Sequence, residues 1–370
     1  MNSYKYRSAS FARINIFLLG FIALAIAFAA MKITASVVIP FIIAVLLTFV
    51  LEPVILILER IKIPRVIAAI VIVLLIAAAV YATGFVLIKS FKTILTLYPK
   101  YERRFTEIYI TIAHTFKMPY DEQLSLIENL WGQLGLRARV QALAINTSEA
   151  FFVYLSKTVM VILFVVFLLL EIGHFRKRIE TAFIGKMSSR IQRIVAGVVS
   201  QVARYLSIKF FTSLSTGIIV GLLLSLIKLD FPLVWGVISF ILNFIPTIGS
   251  IVAGGGVFIF SFVQFYPDPG PILAAGAIML GVNMIIGNIL EPRIQGQNLG
   301  LSPFIILVSL SGWGWLWGFA GLVLAVPMTV IVKIICDNTP GLEPASIMMG
   351  SFQEVKQKSQ DEAVYNSETE

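Results

Sequence analysis

An acidic and a basic side chain stand close together between two long apolar segments of this chain. Glu291 and Arg293 flank Pro292 within GNILEPRIQGQNLGLSP, residues 287–303. A charged group at bilayer depth costs about 2.5 to 3.5 kcal/mol even on lenient insertion scales, so such a residue predicts a functional site with a partner nearby. Glu291 is expected either to bind and release a proton or sodium ion, or to form a static pair with Arg293 that pins a helix end.

Further polar side chains lie beside breaks in the neighbouring apolar segments. Asn243 and Thr247 can offer oxygens to a hydroxylated solute or a cation, or can satisfy backbone groups that Pro246 leaves free. Asn283 and Asn288 can line a path or form interhelical hydrogen bonds. The full set of candidate substrate or ion path residues is Asn243, Thr247, Asn283, Asn288, Glu291, Arg293 and Gln297.

Small residues mark places where the backbone bends or where helices approach closely. The candidate helix breaks and hinges are Pro246, Gly249, Gly296 and Gly300. A second set recurs four residues apart, a spacing that forms a close packing face between helices: Ser213, Gly217, Gly221 and Ser225. The partner of this face can lie in the same chain or in a second copy.

The sequence lacks the motifs of common enzymes and pumps. Gly185-Lys186 has neither the upstream glycine nor the following hydroxyl residue of a phosphate-binding loop. His114 and His174 are far apart, and Cys336 is the only cysteine. We therefore expect no metal site, no cofactor and no enzymatic activity.

The composition indicates an all-α polytopic membrane protein. The 370 residues are 58% hydrophobic and 13% charged, with a mean hydropathy of +0.92, whereas soluble chains are about 25% charged. Residues 70–80, IVIVLLIAAAV, are apolar on every face, unlike the alternating strands of a membrane barrel. The net charge of +9 is typical of basic cytoplasmic loops, so nucleic-acid binding is not expected.

Composition also divides the chain into five parts. Residues 1–88 form three spans, the first two joined by a turn at 31–33, and residues 89–150 form a helical extracytoplasmic insert. Residues 151–206 hold a fourth span and a basic amphipathic cytoplasmic helix, which lies either along the membrane surface or against its own protein. Residues 207–336 form a transport core with broken helices, and residues 337–370 a polar, disordered tail.

Two stretches of the transport core leave alternatives open. Residues 231–266 are either two full spans that meet at a tight turn or a re-entrant hairpin. Residues 303–335 are too long for one ordinary span, and they form either a hairpin that turns at 312–318 or a single tilted helix.

Four motifs carry a resemblance to a known family. The series ERIKIPRVIAAIVIVL, NFIPTIGSIVAGG, ILEPRIQGQNLGLSPFIILVSL and GFAGLVLAVPMTVIVKII, in this order, resembles the autoinducer-2 exporter (AI-2E) family of bacterial membrane proteins over nearly the whole chain. The resemblance implies about eight transmembrane helices, both termini in the cytoplasm, a place in the inner membrane and a homo-oligomer such as a pentamer. Glu52 departs from the family, which more often has a neutral residue before the proline. Glu52 is expected to pair with Arg60 or Lys62, or else to serve a coupling cation.

The resemblance implies export of a small polar solute related to autoinducer-2, with the lipid bilayer as the protein's other partner. Sodium–proton antiport is the alternative within the family, with sodium ion or proton as the transported species. A non-transporting membrane scaffold or regulator is the alternative from another class.

Overall fold

Helices make up the regular structure of the described chain. The computed structural model describes residues 2–116, 156–171, 178, 181–182, 186–295 and 300–351. The helices are α1 (Asn2–Ile33), α2 (Ala35–Arg60), α3 (Arg65–Phe116), α4 (156–171), α5 (Lys186–Leu226), α6 (Pro232–Leu242), α7 (Ile248–Phe265), α8 (Pro269–Val282), a π-helical segment (Asn283–Leu290), α9 (Glu291–Gln295), α10 (Pro303–Asp337) and α11 (Glu343–Met349). The predicted all-α polytopic class is confirmed.

Six helices of the described chain are long and apolar enough to cross a membrane. They lie in Ala35–Arg60, Arg65–Val86, Ser189–Leu226, Ile248–Phe265, Pro269–Gln295 and Pro303–Asp337. Leu18–Ile33 and Pro232–Leu242 are shorter apolar helices. The total of about eight spans stays a prediction.

The first two helices meet at a bend rather than across a loop. Thr34 alone separates α1 from α2, and its N–H still bonds to the carbonyl oxygen of Ala30 at 2.9 Å. The bend frees the carbonyl of Met31, which accepts a hydrogen bond from Trp317 Nε1 at 3.2 Å. The chain therefore bends at Thr34, directly after the turn predicted at residues 31–33. The hydrogen bond from Trp317 holds the chain at this bend.

The third helix runs well beyond its apolar segment. Its 52 residues correspond to about 78 Å, whereas the apolar part ends at Val86. The predicted extracytoplasmic insert therefore begins as a straight continuation of the third span. Residues 117–150 of that insert lie outside the described residues.

The amphipathic helix and the fifth span, predicted as separate elements, are one helix. α5 runs without a break through the boundary predicted at residues 206 and 207. Val202 and Leu206 are buried against Leu46 of α2 and Val330 of α10. The apolar face of this basic helix thus packs against its own protein, which is the second of the two predicted alternatives.

Residues 232–265 form a helical hairpin, here called hairpin 1. Its first arm, α6, has 11 residues or about 16 Å of length, too short for a hydrocarbon layer of about 30 Å. The chain reverses at residues 243–247 and returns as α7. The short first arm favours the re-entrant alternative over two full spans.

Residues 303–337 form a second helical hairpin, hairpin 2. Gly318 adopts φ 59° and ψ −134° inside α10, where the two arms meet. A Cβ on Gly321 would lie 1.8 Å from the carbonyl oxygen of Trp313, so the arms are in backbone contact. The single tilted helix is excluded, and the turn lies at the end of the predicted 312–318 break.

The part of the tail that the structure describes is folded, so the predicted disorder is wrong for residues 337–351. Ser346 of α11 is buried and donates a hydrogen bond to Asp337 Oδ1 at 2.6 Å. Leu301 and Gly350 form an antiparallel bridge, in which Ser302 N–H bonds to the Met349 carbonyl at 3.0 Å. The tail therefore clamps the linker that leads into hairpin 2. Residues 352–370 lie outside the described residues.

Candidate functional site

A stripe of polar side chains runs along one face of α5 inside the protein. Its members recur at three to four residues, the spacing that puts side chains on one helix face. All are buried although they lie in or next to an apolar membrane segment: Tyr205, Lys209, Thr212, Ser213 and Thr216. We call these five residues the polar seam. Because buried polar groups are costly within a membrane, the seam marks the candidate site.

The charged member of the seam pairs with the acidic residue that the sequence singles out. Lys209 Nζ lies 2.8 Å from Glu291 Oε1 and 3.0 Å from Oε2. The two side chains are only 7% and 14% exposed. The partner of Glu291 is therefore Lys209, not the predicted Arg293, whose side chain is exposed. In helix α9, residues 291 and 293 point to different sides, since neighbours on one helix face are three or four residues apart.

Glu291 reaches Lys209 from a distorted helix. The preceding segment, Asn283–Leu290, is π-helical, and the Glu291 N–H bonds to the carbonyl of Ile286, five residues earlier. π-Helical turns are rare and often occur at functional sites, because the wider turn changes the direction of side chains that follow. Asn283 is half-buried in this segment, whereas Asn288 is exposed.

The tip of hairpin 1 meets the seam one turn further along α5. Asn243 Nδ2 donates a hydrogen bond to Ser213 Oγ at 3.0 Å, and both side chains are buried. Ser239 lies one helical turn before Asn243 and is only 2% exposed, and its hydroxyl has no partner among the described residues. An unpaired buried hydroxyl next to this tip is an open hydrogen-bonding position for a polar solute.

Close glycine packing brings hairpin 1 and α5 together. A Cβ on Gly236 of α6 would lie 2.6 Å from the carbonyl oxygen of Gly217 and 3.3 Å from the Cα of Gly221. The predicted small-residue face therefore packs within one chain at Ser213, Gly217 and Gly221. Ser225, its last member, is exposed and bonds to the carbonyl of Leu222 in its own helix.

Hairpin 2 adds a second buried polar group close to the same tip. Ser309 Oγ and Thr329 Oγ1 lie next to one another, and each is within hydrogen-bonding distance of the carbonyl oxygen of Ala325, at 2.9 and 2.8 Å. Ile245, in the turn of hairpin 1, packs against Leu310 and Ala325. The two hairpins thus meet beside the seam.

The remaining predicted residues occupy the turns around this centre. Pro246 and buried Gly249 shape the tip of hairpin 1, and Thr247 is exposed there with a positive φ of 61°. Gly300 also has a positive φ, 67°, and its carbonyl oxygen accepts a hydrogen bond from the Ser351 N–H of the tail at 3.0 Å. Gly296 and Gln297 lie outside the described residues.

Glu52 forms an ion pair away from the seam. Both of its carboxylate oxygens lie 2.7 Å from Arg65 Nη2. Arg65 Nε also donates to the carbonyl of Leu169 at the end of α4, at 2.9 Å. The observed partner is Arg65 rather than the predicted Arg60 or Lys62, and the arginine joins α2, α3 and α4 at one point.

The residues that sequence reasoning missed are Lys209, Tyr205, Thr212, Thr216, Ser239, Ser309 and Thr329. Lys209 carried a usable signal, since it is a lone cation at the start of an apolar span, four residues before Ser213. Its pairing with Glu291 joins residues 82 apart in sequence.

The chemistry of the site is that of hydrogen bonding and charge pairing. Within the described residues, no group of three or more His, Cys, Asp or Glu is placed to hold a metal ion. The seam, the tip of hairpin 1 and the π-helical segment instead present hydroxyls, an amide and a neutralised ion pair. Such groups suit reversible binding of a small polar molecule.

Comparison with known proteins places this arrangement in a family. The AI-2E family transporter pattern matches residues 20–341. The chain is 34% identical over 321 residues, or 87% of its length and 86% of the relative's, to a protein of Borreliella burgdorferi named as a candidate transport protein. It is 28% identical over 351 residues to the AI-2 transport protein TqsA of Escherichia coli (strain K12), covering 89% and 94% of the two chains. The family match spans most of the chain and the helices that build the seam, and the chain therefore belongs to the AI-2E family of multi-pass membrane transporters.

Proposed function

We propose that this protein exports a small polar solute related to autoinducer-2 across the bacterial inner membrane. The observation that carries the proposal is the polar seam, where Lys209 pairs with Glu291 and, one turn further along α5, Ser213 bonds to Asn243 at the tip of hairpin 1. Broken helices of this kind commonly form the substrate sites of secondary transporters. The name of TqsA, a relative similar over 89% of this chain, supports the choice of solute.

In the proposed mechanism the solute binds by hydrogen bonds at the hairpin tip. Asn243 offers an amide, and Ser239 offers a hydroxyl that has no partner among the described residues; both suit a hydroxylated molecule without net charge. The Lys209–Glu291 pair closes the predicted cytoplasmic end, because it joins α5 to α9 there. Each of the two charges is neutralised by the other. A paired carboxylate does not serve readily as a cation carrier, which favours solute export over sodium–proton antiport. We assign no catalytic step to the site.

Efflux from liposomes tests this proposal. Purified protein is reconstituted into liposomes loaded with autoinducer-2, and the release of solute is followed over time. We expect release above that of protein-free liposomes, and a large decrease in its rate for Asn243→Ala, because the tip then loses its amide. Arg104→Ala is the matched control, since the ion pair of Arg104 among the described residues is with Glu107 on the same helix, α3. Release equal to that of protein-free liposomes would overturn the proposal.

A further inference from the structure

Asp230 makes a set of contacts that the polar seam does not use. It lies in the short linker between α5 and hairpin 1. Its Oδ2 accepts two hydrogen bonds, from Lys100 Nζ and from Tyr101 Oη, each at 2.6 Å. Both donors belong to the part of α3 that continues beyond the apolar segment. The extension of α3 therefore holds the chain at the point where hairpin 1 begins.

The end of hairpin 1 is fastened at the same place. Gln264, near the end of α7, is buried and accepts a hydrogen bond from the Asp230 N–H at 2.8 Å. Its Nε2 donates to the carbonyl of Lys228 at 2.9 Å. Lys228 and Phe231 both have a positive φ, 56° and 59°, so this linker is held in a backbone conformation that side chains disfavour. Gln264 thus joins the end of the second arm to the linker that leads into the first arm.

Aromatic side chains extend the contact over both arms. The rings of Tyr101 and Phe260 are 5.4 Å apart, and Phe260 in turn lies 5.5 Å from Trp235 and 6.0 Å from Phe231. Burial and the hydrogen bond to Asp230 raise the pKa of Tyr101 well above its usual value. Its hydroxyl therefore remains a proton donor throughout the physiological pH range.

The contacts around Asp230 lie at the other end of α5 from the Lys209–Glu291 pair. Lys209 and Asp230 are separated by the last 17 residues of α5, which correspond to about 26 Å, and by a short linker. This is close to the thickness of the hydrocarbon layer, about 30 Å. The two sets of contacts therefore lie at the two ends of the apolar part of α5, near the faces predicted to be cytoplasmic and extracytoplasmic.

We propose that Asp230, Lys100, Tyr101 and Gln264 form an outer latch that keeps hairpin 1 closed at the face predicted to be extracytoplasmic. The inference rests on the proposed transport function, in which a solute bound at the hairpin tip must leave through that face. These four are positioning residues, since they hold the hairpin rather than contact the solute. Lys100 is 43% exposed, and exposed ion pairs add little net stability, so the latch can release during each cycle while the buried Lys209–Glu291 pair stays closed.

A buried reporter cysteine measures the opening of the latch without any need for transport. Ser261 is fully buried one turn before Gln264, and Ser261→Cys is introduced after the only native cysteine is removed by Cys336→Ser. Labelling by a membrane-impermeant maleimide is timed in liposomes. We expect Tyr101→Phe and Asp230→Asn to raise the labelling rate roughly tenfold, because the first removes a hydrogen-bond donor and the second removes the charge that strengthens both bonds.

Matched variants separate the latch from general loosening. Arg104→Ala removes an exposed ion pair on the same helix and is expected to leave labelling unchanged. Lys100→Arg keeps the charge and should label like the parent, whereas Lys100→Met should label faster. The proposal is overturned if Tyr101→Phe and Asp230→Asn both keep the melting temperature of the parent and both label at the parent's rate.

Efflux measurements on the same samples distinguish the two proposals. Faster labelling with no release of autoinducer-2 from any variant supports the latch and contradicts the proposed solute. Normal release by the parent, with labelling that no latch variant alters, contradicts the latch alone. If both proposals are correct, Tyr101→Phe changes the maximal efflux rate and leaves the half-saturating concentration unchanged, because the solute site at Asn243 is intact.

Discussion

Buried ion pairs such as Lys209–Glu291 are seldom a source of stability, because the loss of hydration offsets most of the attraction between the charges. Removal of one partner is costly, however, since it leaves the other charge buried and unpaired. Glu291 and Lys209 also belong to different parts of the transport core, α9 and α5. The pair therefore joins these two parts of the transport core, as expected for a contact that closes one end of the proposed solute path.

Neutralising one member of this pair should reduce the stability of the protein more than neutralising both. We expect Lys209→Met and Glu291→Gln each to destabilise the protein by about 3 to 5 kcal/mol, and the double variant to recover much of that loss. Thermal unfolding in detergent measures the effect. Equal destabilisation by the double variant and by the sum of the single variants would show that the two charges do not interact.

At the level of single residues, the sequence predicts which side chains are unusual better than it predicts their partners. Glu291 stands out because it is an acid between two apolar segments. Arg293 is its nearest cation in sequence, but positions two apart on a helix do not face one another. Lys209 becomes a neighbour only after α5 and the π-helical segment have packed, and no local pattern contains that information.

Among the elements, hairpin 1 depends most on the backbone of its turn. Gly249, the second residue of α7, lies directly against the end of the first arm, where the carbonyl oxygen of Leu242 occupies the space that a side chain would need. The tight reversal places Asn243 at Ser213 and Ile245 against hairpin 2. The position of the proposed solute site therefore depends on the glycine at this turn.

Gly249→Ala tests this dependence. Its Cβ would lie 1.7 Å from Leu242 O, so we expect the turn to open and both the melting temperature and the efflux rate to fall sharply. Gly255→Ala is the matched control on the same helix, since nothing lies within 4 Å of its Cβ, and it should behave like the parent. Similar behaviour of the two variants would contradict the close approach at residue 249.

Element types could be predicted from apolar length, but their ends and their continuity could not. Gly318 was within a predicted break because glycines and tryptophans interrupt the apolar run there. The basic part of α5 was separated from the fifth span because its composition changes near residue 206. Hydropathy reports the surroundings of a helix, and one helix can pass from a protein–water boundary into a membrane without a change in backbone.

Across the whole molecule, the described tail connects the end of the chain to the centre of the transport core. The bridge between Leu301 and Gly350 fastens the linker between α9 and hairpin 2, and Met349 packs against the main apolar core. Polar composition led to the prediction of disorder there. Ser346 and Asp337 are polar residues that pair with each other, so their polarity was not a sign of missing structure.

Two truncations test the contribution of the described part of the tail. A chain that ends at Ser351 keeps α11 and the bridge, and we expect it to melt at the temperature of the full chain. A chain that ends at Asn338 loses both and exposes buried Leu301, so its melting temperature should fall by several degrees. Equal melting of the two truncated chains would contradict a stabilising clamp.

The hydrogen bond from Trp317 to the Met31 carbonyl has a consequence for how the protein is made. The donor is synthesised 286 residues after the acceptor, which at about 5 to 20 residues per second is a delay of roughly 15 to 60 s. During that interval the bend at Thr34 has to satisfy its exposed carbonyl with water or with a lipid headgroup. The amino-terminal helices therefore reach their final geometry only after hairpin 2 has entered the bilayer. The first part of the chain to be synthesised is then among the last to be fixed in place.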